Sequence, residues 1–233
     1  MKKTVIANWK SNMNTHQVDE WLVEFRKEYE SVVALGNQRY DVVLCPAFPF
    51  VMQVGDWIEK TDLQWRVSLG LQNVSPYGAG SYTGEVSGEN LVDLHVKYAI
   101  VGHSERRKYF KESSLDVSKR VESCLEEGIT PIVCVDRFEI EQQADFIDRK
   151  HYSQIIVAYE PVEHIGTGIA EDVNEVLKAM DEVRKAFPKA QVIYGGSVNP
   201  ENVDQFAPHD EIEGFLVGGA SLSVQQFVQI LKS

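Results

Sequence analysis

Cysteine is scarce in this sequence of 233 residues, and its distribution excludes two classes of small stabilised domain. The chain has three cysteines, Cys45, Cys124 and Cys134, and no two of them form a C-x-x-C pair. An odd number without such a pair favours neither a disulfide framework nor a zinc ribbon. We therefore expect a protein of a reducing compartment.

Positive charge and long apolar runs are also lacking. The chain has 23 Lys and Arg against 35 Asp and Glu, a net charge of −12. Such a surface repels nucleic acid and anionic membranes, so we expect neither as a partner. No apolar run approaches the roughly 20 residues of a membrane span, and Asn8 and Lys10 interrupt the first run far short of a signal-peptide core. The expected location is cytoplasmic.

What the sequence does contain is a regular alternation of two patterns. Short apolar runs of the kind found in parallel strands buried on both faces alternate with segments of helical periodicity such as Val18–Val33, Leu115–Glu127, Val173–Phe187 and Val224–Leu231. This alternation predicts one (β/α)₈ barrel domain over residues 1–233. A doubly wound open sheet is the alternative, but the first run lacks the Gly-x-Gly-x-x-Gly turn of a dinucleotide fold. The predicted strands are Thr4–Ala7, Asp41–Cys45, Val67–Leu71, Tyr98–Val101, Pro131–Val135, Gln154–Tyr159, Gln191–Tyr194 and Gly214–Val217.

Two connections have unusual lengths. Asn73–Ser87 (NVSPYGAGSYTGEVS) is a long loop after the third run, and long ordered loops in compact domains are usually functional. Between the fifth and sixth runs, Asp136–Ser153 must supply a helix and both of its connections. We expect an interface or active-site loop at the first and a thin helical layer at the second.

Ionisable residues end three of the predicted strands. Lys10 follows the first, His103 the fourth and Glu160 the sixth. In a (β/α)₈ barrel these strand ends meet at one face, where the chemistry takes place. A carboxylate, an imidazole and an ammonium suit proton transfer beside a carbonyl, although Lys10 could instead form a Schiff base.

Glycine pairs follow the last two predicted strands. Gly195-Gly196 ends the seventh run and Gly218-Gly219 the eighth, where bare backbone amides can approach a phosphate. A stiff start at Pro161 and a flexible Gly166-Thr167-Gly168 predict a hinged lid over Pro161–Gly168.

Taken together, these motifs resemble the triosephosphate isomerase family, in the family's order and over nearly the whole chain. The segments that carry the resemblance are Asn8-Trp9-Lys10, Gly102-His103-Ser104-Glu105-Arg106-Arg107, Ala158-Tyr159-Glu160-Pro161-Val162, Ile165-Gly166-Thr167-Gly168, Tyr194-Gly195-Gly196-Ser197 and Val217-Gly218-Gly219-Ala220.

The resemblance implies interconversion of dihydroxyacetone phosphate and D-glyceraldehyde 3-phosphate through an enediolate, in glycolysis and gluconeogenesis, without metal or organic cofactor. Glu160 would be the base, and a neutral His103 at a helix start would polarise the carbonyl. Lys10 and Asn8 would stabilise the substrate oxygens, with Glu105 supporting Lys10. The phosphate would be held by the backbone amides of Gly166, Ser197, Gly218 and Gly219.

The resemblance also implies self-association. Tyr82-Thr83-Gly84-Glu85, within Asn73–Ser87, is similar to the family's interdigitating loop, in which Thr83 would reach the partner's active site. The expected assembly is a homodimer, with a tetramer as the alternative.

Two segments depart from the family pattern. Cys134-Val135-Asp136-Arg137 stands where most members have Cys-Ile-Gly-Glu, so the family's glutamate is missing or replaced by Asp136. Glu163 stands where tryptophan is typical, and with the short segment after the fifth run it resembles the compact archaeal form. An unpaired buried carboxylate is costly, so we expect Glu163 to pair with a tyrosine or arginine near the rim when the lid closes, or to stay in solvent.

Two other functions fit part of this pattern. A Lys10-dependent aldolase or lyase would share the phosphate glycines, and a non-enzymatic descendant would only bind the phosphosugar. The joint presence of Lys10, His103 and Glu160 disfavours the second of these.

Overall fold

A computed structural model describes residues 3–34, 39–61, 63–163 and 170–233, and its centre is a closed barrel of parallel strands. The strands pair in chain order, and β8 closes the barrel against β1. The predicted (β/α)₈ architecture is therefore confirmed. The strands are β1 Lys3–Asn8, β2 Tyr40–Cys45, β3 Val67–Leu71, β4 Tyr98–Val101, β5 Thr130–Val135, β6 Ile156–Tyr159, β7 Gln191–Tyr194 and β8 Gly214–Val217.

Each predicted run overlaps one of these strands, and the largest difference in bounds is at β6. The prediction began this strand at Gln154, whereas the structure begins it at Ile156. Gln154 instead ends a 3₁₀ turn, Arg149–Gln154, whose start is capped when the Asp148 carboxylate accepts a hydrogen bond from Lys150 N. A polar, exposed Gln154 fits this turn better than a strand that is buried throughout.

Helices connect the strands and cover the outside of the barrel. The four predicted helices are present to within a few residues at each end. Among the described residues, no helix is long and apolar enough to cross a membrane. The α-helices are α1 Thr15–Ala34, α2 Val51–Glu59, α3 Ser104–Phe110, α4 Ser114–Glu126, α5 Ile140–Phe146, α6 Val173–Ala186, α7 Val203–Phe206 and α8 Val224–Leu231.

The apolar core has two layers because successive strand residues point to opposite faces. In β1, Val5 and Ala7 pack outward against the helices, whereas Ile6 belongs to the cluster inside the barrel. The inner cluster consists of Ile6, Val43, Cys45, Ile100, Ile132, Cys134, Ile156, Ala158, Ile193 and Leu216. The inward positions beyond this cluster, at the carboxyl ends of the strands, therefore face the mouth of the barrel.

The layer between β5 and β6 is thin, as the chain length predicted. It consists of α5, a helix of 7 residues, followed by the 3₁₀ turn Arg149–Gln154. The helix buries Ile140, Gln143 and Ala144. One of these three side chains is polar, so part of the contact between α5 and the barrel is made by hydrogen bonds.

Candidate active site

A cavity of about 300 Å³ opens at the carboxyl ends of the strands, between β1, β4, β6 and the loops after β7 and β8. The structure brings most of the predicted site residues together there. Gly166 lies outside the described residues, and Glu105 reaches the site through its contact with Lys10. The predicted residues that line the cavity are Asn8, Lys10, His103, Glu160, Ser197, Gly218 and Gly219.

Lys10 occupies a constrained position after β1. Its φ of 52° is in the left-handed region, which is uncommon for a residue with a side chain. The Asn8 side chain accepts a hydrogen bond from Lys10 N at 3.1 Å, and the Gln72 amide donates to Lys10 O at 2.8 Å. Lys10 Nζ donates to Glu105 Oε1 at 2.6 Å. The ammonium is thus fixed at the cavity wall by contacts at both ends of the residue.

His103 caps the first turn of α3, and this contact determines which ring nitrogen carries the proton. Its Nδ1 accepts a hydrogen bond from Glu105 N at 3.2 Å, so Nδ1 is the unprotonated nitrogen. A neutral ring then carries its proton on Nε2. Nε2 lies 3.2 Å from Glu160 Oε1, at the cavity side of the ring.

Glu160 is almost completely buried, with 2% of its surface exposed, at the end of β6. Its Oε2 accepts a hydrogen bond from Ser104 N at 3.1 Å, while Oε1 faces His103. Both carboxylate oxygens therefore contact protein donors, which offsets part of the cost of burying the charge. On the other side, burial and the Glu160 carboxylate hold the pKa of the Cys134 thiol well above its usual range.

The opposite wall of the cavity consists of small residues and backbone. Ser197 has a φ of 51°, again in the left-handed region, and Gly219 begins a 3₁₀ turn, Gly219–Leu222. A Cβ on Gly218 would lie 3.2 Å from Lys10 Cε, so a larger residue there would press on the lysine. The Ser221 hydroxyl donates to Gly218 O at 2.6 Å and fixes the turn. These features leave space and backbone amides where an anionic group can bind.

Metal-binding clusters are absent from the described part of the chain. No group of three or more His, Cys, Asp or Glu side chains is placed there to hold a metal ion.

Several residues near the site were not predicted. Leu216 and Gln226 line the cavity, and Cys134 contacts Glu160. Strand alternation could have found Leu216 and Cys134, because both fall at inward positions of β8 and β5. Arg107, within a motif already singled out, donates to the carbonyls of Gly102 and Cys134.

The two departures from the family pattern have separate structural outcomes. Asp136, at the position of the family's glutamate, takes part in a local turn in which its Oδ1 accepts from the backbone N–H groups of Phe138 and Glu139. Arg137, the next residue, forms ion pairs with two carboxylates of α6. Its guanidinium nitrogens lie 3.4 Å from Glu175 and 3.1 Å from Glu182.

Glu163, the second departure, is exposed. The part of the predicted lid that follows Glu163, residues 164–168, lies outside the described residues. The expected pairing of Glu163 with a tyrosine or arginine stays a prediction.

Comparisons with known proteins agree with this geometry. The family model described as triosephosphate isomerase matches residues 3–233. A protein named triosephosphate isomerase from Mesomycoplasma hyorhinis is 37% identical over 99% of this chain and 98% of its own length. Proteins of the same name from Colwellia psychrerythraea and Aquifex aeolicus are 35% and 34% identical, covering 96% and 100% of this chain and 94% and 100% of their own lengths.

Proposed function

The chain belongs to the triosephosphate isomerase family, and on that premise we propose which of its residues carry out the reaction. It is an isomerase that interconverts dihydroxyacetone phosphate and D-glyceraldehyde 3-phosphate, a reaction of glycolysis. The observation that supports the assignment of roles is the convergence of Glu160, His103 and Lys10 on one cavity of about 300 Å³. A proton must move between two carbon atoms and another between two oxygen atoms, which calls for a base and for a donor that can also accept.

Glu160 is the base that moves the carbon-bound proton. It takes a proton from the hydroxymethyl carbon of dihydroxyacetone phosphate and returns it to the neighbouring carbon, so that an enediolate forms and decays. Because Oε2 accepts a hydrogen bond from Ser104 N and Oε1 lies 3.2 Å from His103 Nε2, Glu160 must leave at least one of these contacts to reach the substrate carbon.

His103 moves the oxygen-bound proton. With Nδ1 occupied by Glu105 N, the neutral ring donates from Nε2 to the substrate carbonyl and takes a proton back from the neighbouring hydroxyl. A neutral donor suits this role because its conjugate base can recover the proton within the same turnover.

Lys10 and the backbone of the loops after β7 and β8 bind the negatively charged groups of the substrate. The ammonium, fixed by Glu105, stabilises negative charge on the enediolate oxygens, and Asn8 supports the position of Lys10. The amides at Ser197, Gly218 and Gly219 hold the phosphate, together with Gly166 of the segment beyond Glu163. The Schiff-base alternative requires a free amine that can attack a carbonyl, whereas Lys10 Nζ already donates to Glu105 Oε1 at 2.6 Å.

A coupled assay of isomerase turnover tests these roles. Glu160→Asp retracts the carboxylate by one methylene, and a misplacement of about 1 Å costs on the order of 100-fold in kcat. Glu160→Gln removes the base and is the matched control. An unchanged kcat in either variant would remove Glu160 from the base role.

Borohydride trapping tests whether the protein is instead a Lys10-dependent aldolase or lyase. Borohydride reduction in the presence of substrate should leave Lys10 unmodified in the parent protein. A covalent adduct that forms in the parent and not in Lys10→Met would show Schiff-base chemistry instead.

Self-association through residues 73–87 is the second part of the proposal. This loop exposes Tyr77 and Tyr82, whose rings stack at a centroid distance of 4.4 Å, and Thr83 lies beside them. Its base is fixed by the Ser75 N to Val86 O hydrogen bond at 2.8 Å and by Arg120, which donates to Val74 O. A well-held loop with an exposed aromatic tip fits a homodimer contact better than a solvated loop.

Light scattering tests the assembly. A homodimer gives about twice the chain mass, and an obligate one loses activity on dilution. A fully active monomer at micromolar concentration would contradict the proposal, and a mass of four chains would replace it with the tetramer. We also propose a cytoplasmic location, which the buried, unpaired cysteines support because cytosolic thiols stay reduced.

A further inference from the structure

Gln143 is a polar side chain with no exposed surface, on the short helix α5. Its Oε1 accepts a hydrogen bond from Arg107 Nη2 at 2.8 Å, and its Nε2 donates to Ser114 O at 3.1 Å. A buried side-chain amide is retained at little cost only when both of its ends are paired in this way. The pairing connects the helical layer between β5 and β6 directly to an arginine of the active-site helix α3.

Arg107 passes this contact to the ends of two strands. Its Nε donates to Gly102 O at 2.8 Å, and its Nη2 also donates to Cys134 O at 3.1 Å. Gly102 immediately precedes His103, and Cys134 contacts Glu160. The guanidinium therefore bridges the strand end that carries the imidazole and the strand beside the carboxylate.

The packing around Gly102 leaves the guanidinium little freedom. Gly102 has a φ of 67°, and a Cβ there would lie 2.9 Å from Arg107 Nη2. The side chain of Arg107 is 9% exposed, and Glu139 Oε2 lies 3.2 Å from its Nε. Because the planar guanidinium presents its donors in a fixed fork, loss of one acceptor changes the orientation that suits the others.

We propose that Gln143 is a positioning residue for the isomerisation: it orients Arg107, which fixes the Gly102 carbonyl and through it the imidazole of His103. The side-chain amide oxygen supplies an acceptor for Arg107 Nη2, and the amide nitrogen donates to Ser114 O of α4, which satisfies the other end of the buried amide. In this arrangement α5 covers the barrel and also holds a part of the catalytic machinery in position.

Gln143→Met tests the role because it keeps the length of the side chain and removes both hydrogen bonds. We expect kcat to fall about tenfold with KM nearly unchanged, since a small shift of a proton donor slows chemistry more than binding. The matched control is Tyr152→Phe, which also removes a buried hydrogen bond to α5, from the Tyr152 hydroxyl to Ala144 O at 2.8 Å. Tyr152→Phe should lower Tm and leave kcat at the parent value, and equal losses of kcat in the two variants would overturn the inference.

A spectroscopic measurement reports the position of His103 without turnover. The imidazole ¹⁵N and Nε2 proton shifts of His103 should move in Gln143→Met and stay in place in Tyr152→Phe. Unmoved shifts in Gln143→Met would overturn the inference. If Gln143→Met does not fold, Gln143→Glu keeps an acceptor for Arg107 and loses the donor to Ser114 O, so retained kcat supports the inference and a tenfold loss overturns it.

The inference rests on the proposed role of His103. A double-variant cycle tests the role of His103 and the positioning role of Gln143 separately. His103→Gln should itself lower kcat, and the tenfold effect of Gln143→Met should shrink towards none in that background. Full activity of His103→Gln would refute the proposed function. A low activity of His103→Gln with an undiminished further tenfold loss from Gln143→Met would refute the positioning role alone.

Discussion

Two ion-paired clusters flank helix α3, and they differ in their exposure to solvent. On the side of the cavity, Lys10 Nζ lies 2.6 Å from Glu105 Oε1, and the two side chains are 25% and 42% exposed. On the other side, the Glu112 carboxylate lies 2.6 Å from Arg106 and 3.0 Å from Arg120. Glu112 and Arg120 are 5% and 8% exposed.

The difference separates the residues that serve the reaction from those that serve stability. A partly exposed pair contributes little to the free energy of unfolding because water screens it, so Lys10 can also contact a substrate oxygen at low cost. A buried group of charges is destabilised strongly when one member is removed, since the remaining charge has lost both water and partner. The substitutions below should therefore affect either activity or stability.

Lys10→Met should produce the largest effect, and it should be an effect on activity. Removal of a single group that stabilises a developing oxyanion typically lowers kcat about 100- to 1000-fold. KM should rise as well, because the ammonium also contacts the substrate in the ground state. The free energy of unfolding should change by less than about 1 kcal/mol, because the pair with Glu105 is partly exposed to water. Turnover and urea-denaturation measurements in parallel check the effect on activity and the effect on stability. Near-normal turnover would show that Lys10 does not stabilise the enediolate.

Arg120→Met should show the opposite pattern. We expect a loss of about 3 kcal/mol in the free energy of unfolding, towards the lower end for a broken buried pair because Arg106 still contacts Glu112. Arg120 also donates to Val74 O at the base of residues 73–87, so light scattering must first show that the proposed homodimer persists in the variant. At a temperature where the variant is folded and a concentration where it is dimeric, kcat should remain close to the parent value. A stable variant with impaired turnover would contradict the division between the two sides of α3.

The sequence predicted the residues on the cavity side of α3 better than those of the buried cluster. Lys10, His103 and Glu160 could be assigned because each ends a strand-like run, and the fold brings such ends to one face. The partners of Glu112 could not be predicted, because Glu112 lies between α3 and α4 and contacts Arg106 of α3 and Arg120 of α4 only after the two helices have packed.

The same limit applies to the side chains behind the site. Gln143 reaches Arg107 across 36 positions of sequence, and no periodic pattern records such a contact. The bounds of β6 were misplaced for a more local reason, because the Asp148 cap begins a turn that extends to Gln154.

Alkaline pH should lower the free energy of unfolding through Cys124, which lies one helical turn after Arg120 on α4. Burial raises the pKa of its thiol from 9.0 to about 12, and Arg120 opposes this rise. Because the folded-state pKa is the higher one, the contribution to stability is complete below pH 9 and is lost as pH rises towards 12. Urea denaturation should give a loss of about 1.4 kcal/mol per pH unit from this group within that window. Cys124→Ala should remove that part of the slope, and an unchanged slope would show that other groups cause it.

Glu105→Gln should have the smallest effect on stability and tests whether the cavity-side pair positions Lys10 or stabilises the fold. The amide oxygen of Gln can still accept the hydrogen bond from Lys10 Nζ, but the charge attraction is lost. We expect the free energy of unfolding to change by less than about 1 kcal/mol, because both side chains are partly exposed. Turnover should fall, though less than in Lys10→Met, since the ammonium remains but is held less firmly. Salt at about 1 M, which shortens the Debye length to about 3 Å, should narrow the difference in turnover between the parent and Glu105→Gln, because ions then weaken a partly exposed pair. A loss of several kcal/mol with normal turnover would instead place this pair with the buried cluster, and the comparison between the two sides of α3 would no longer hold.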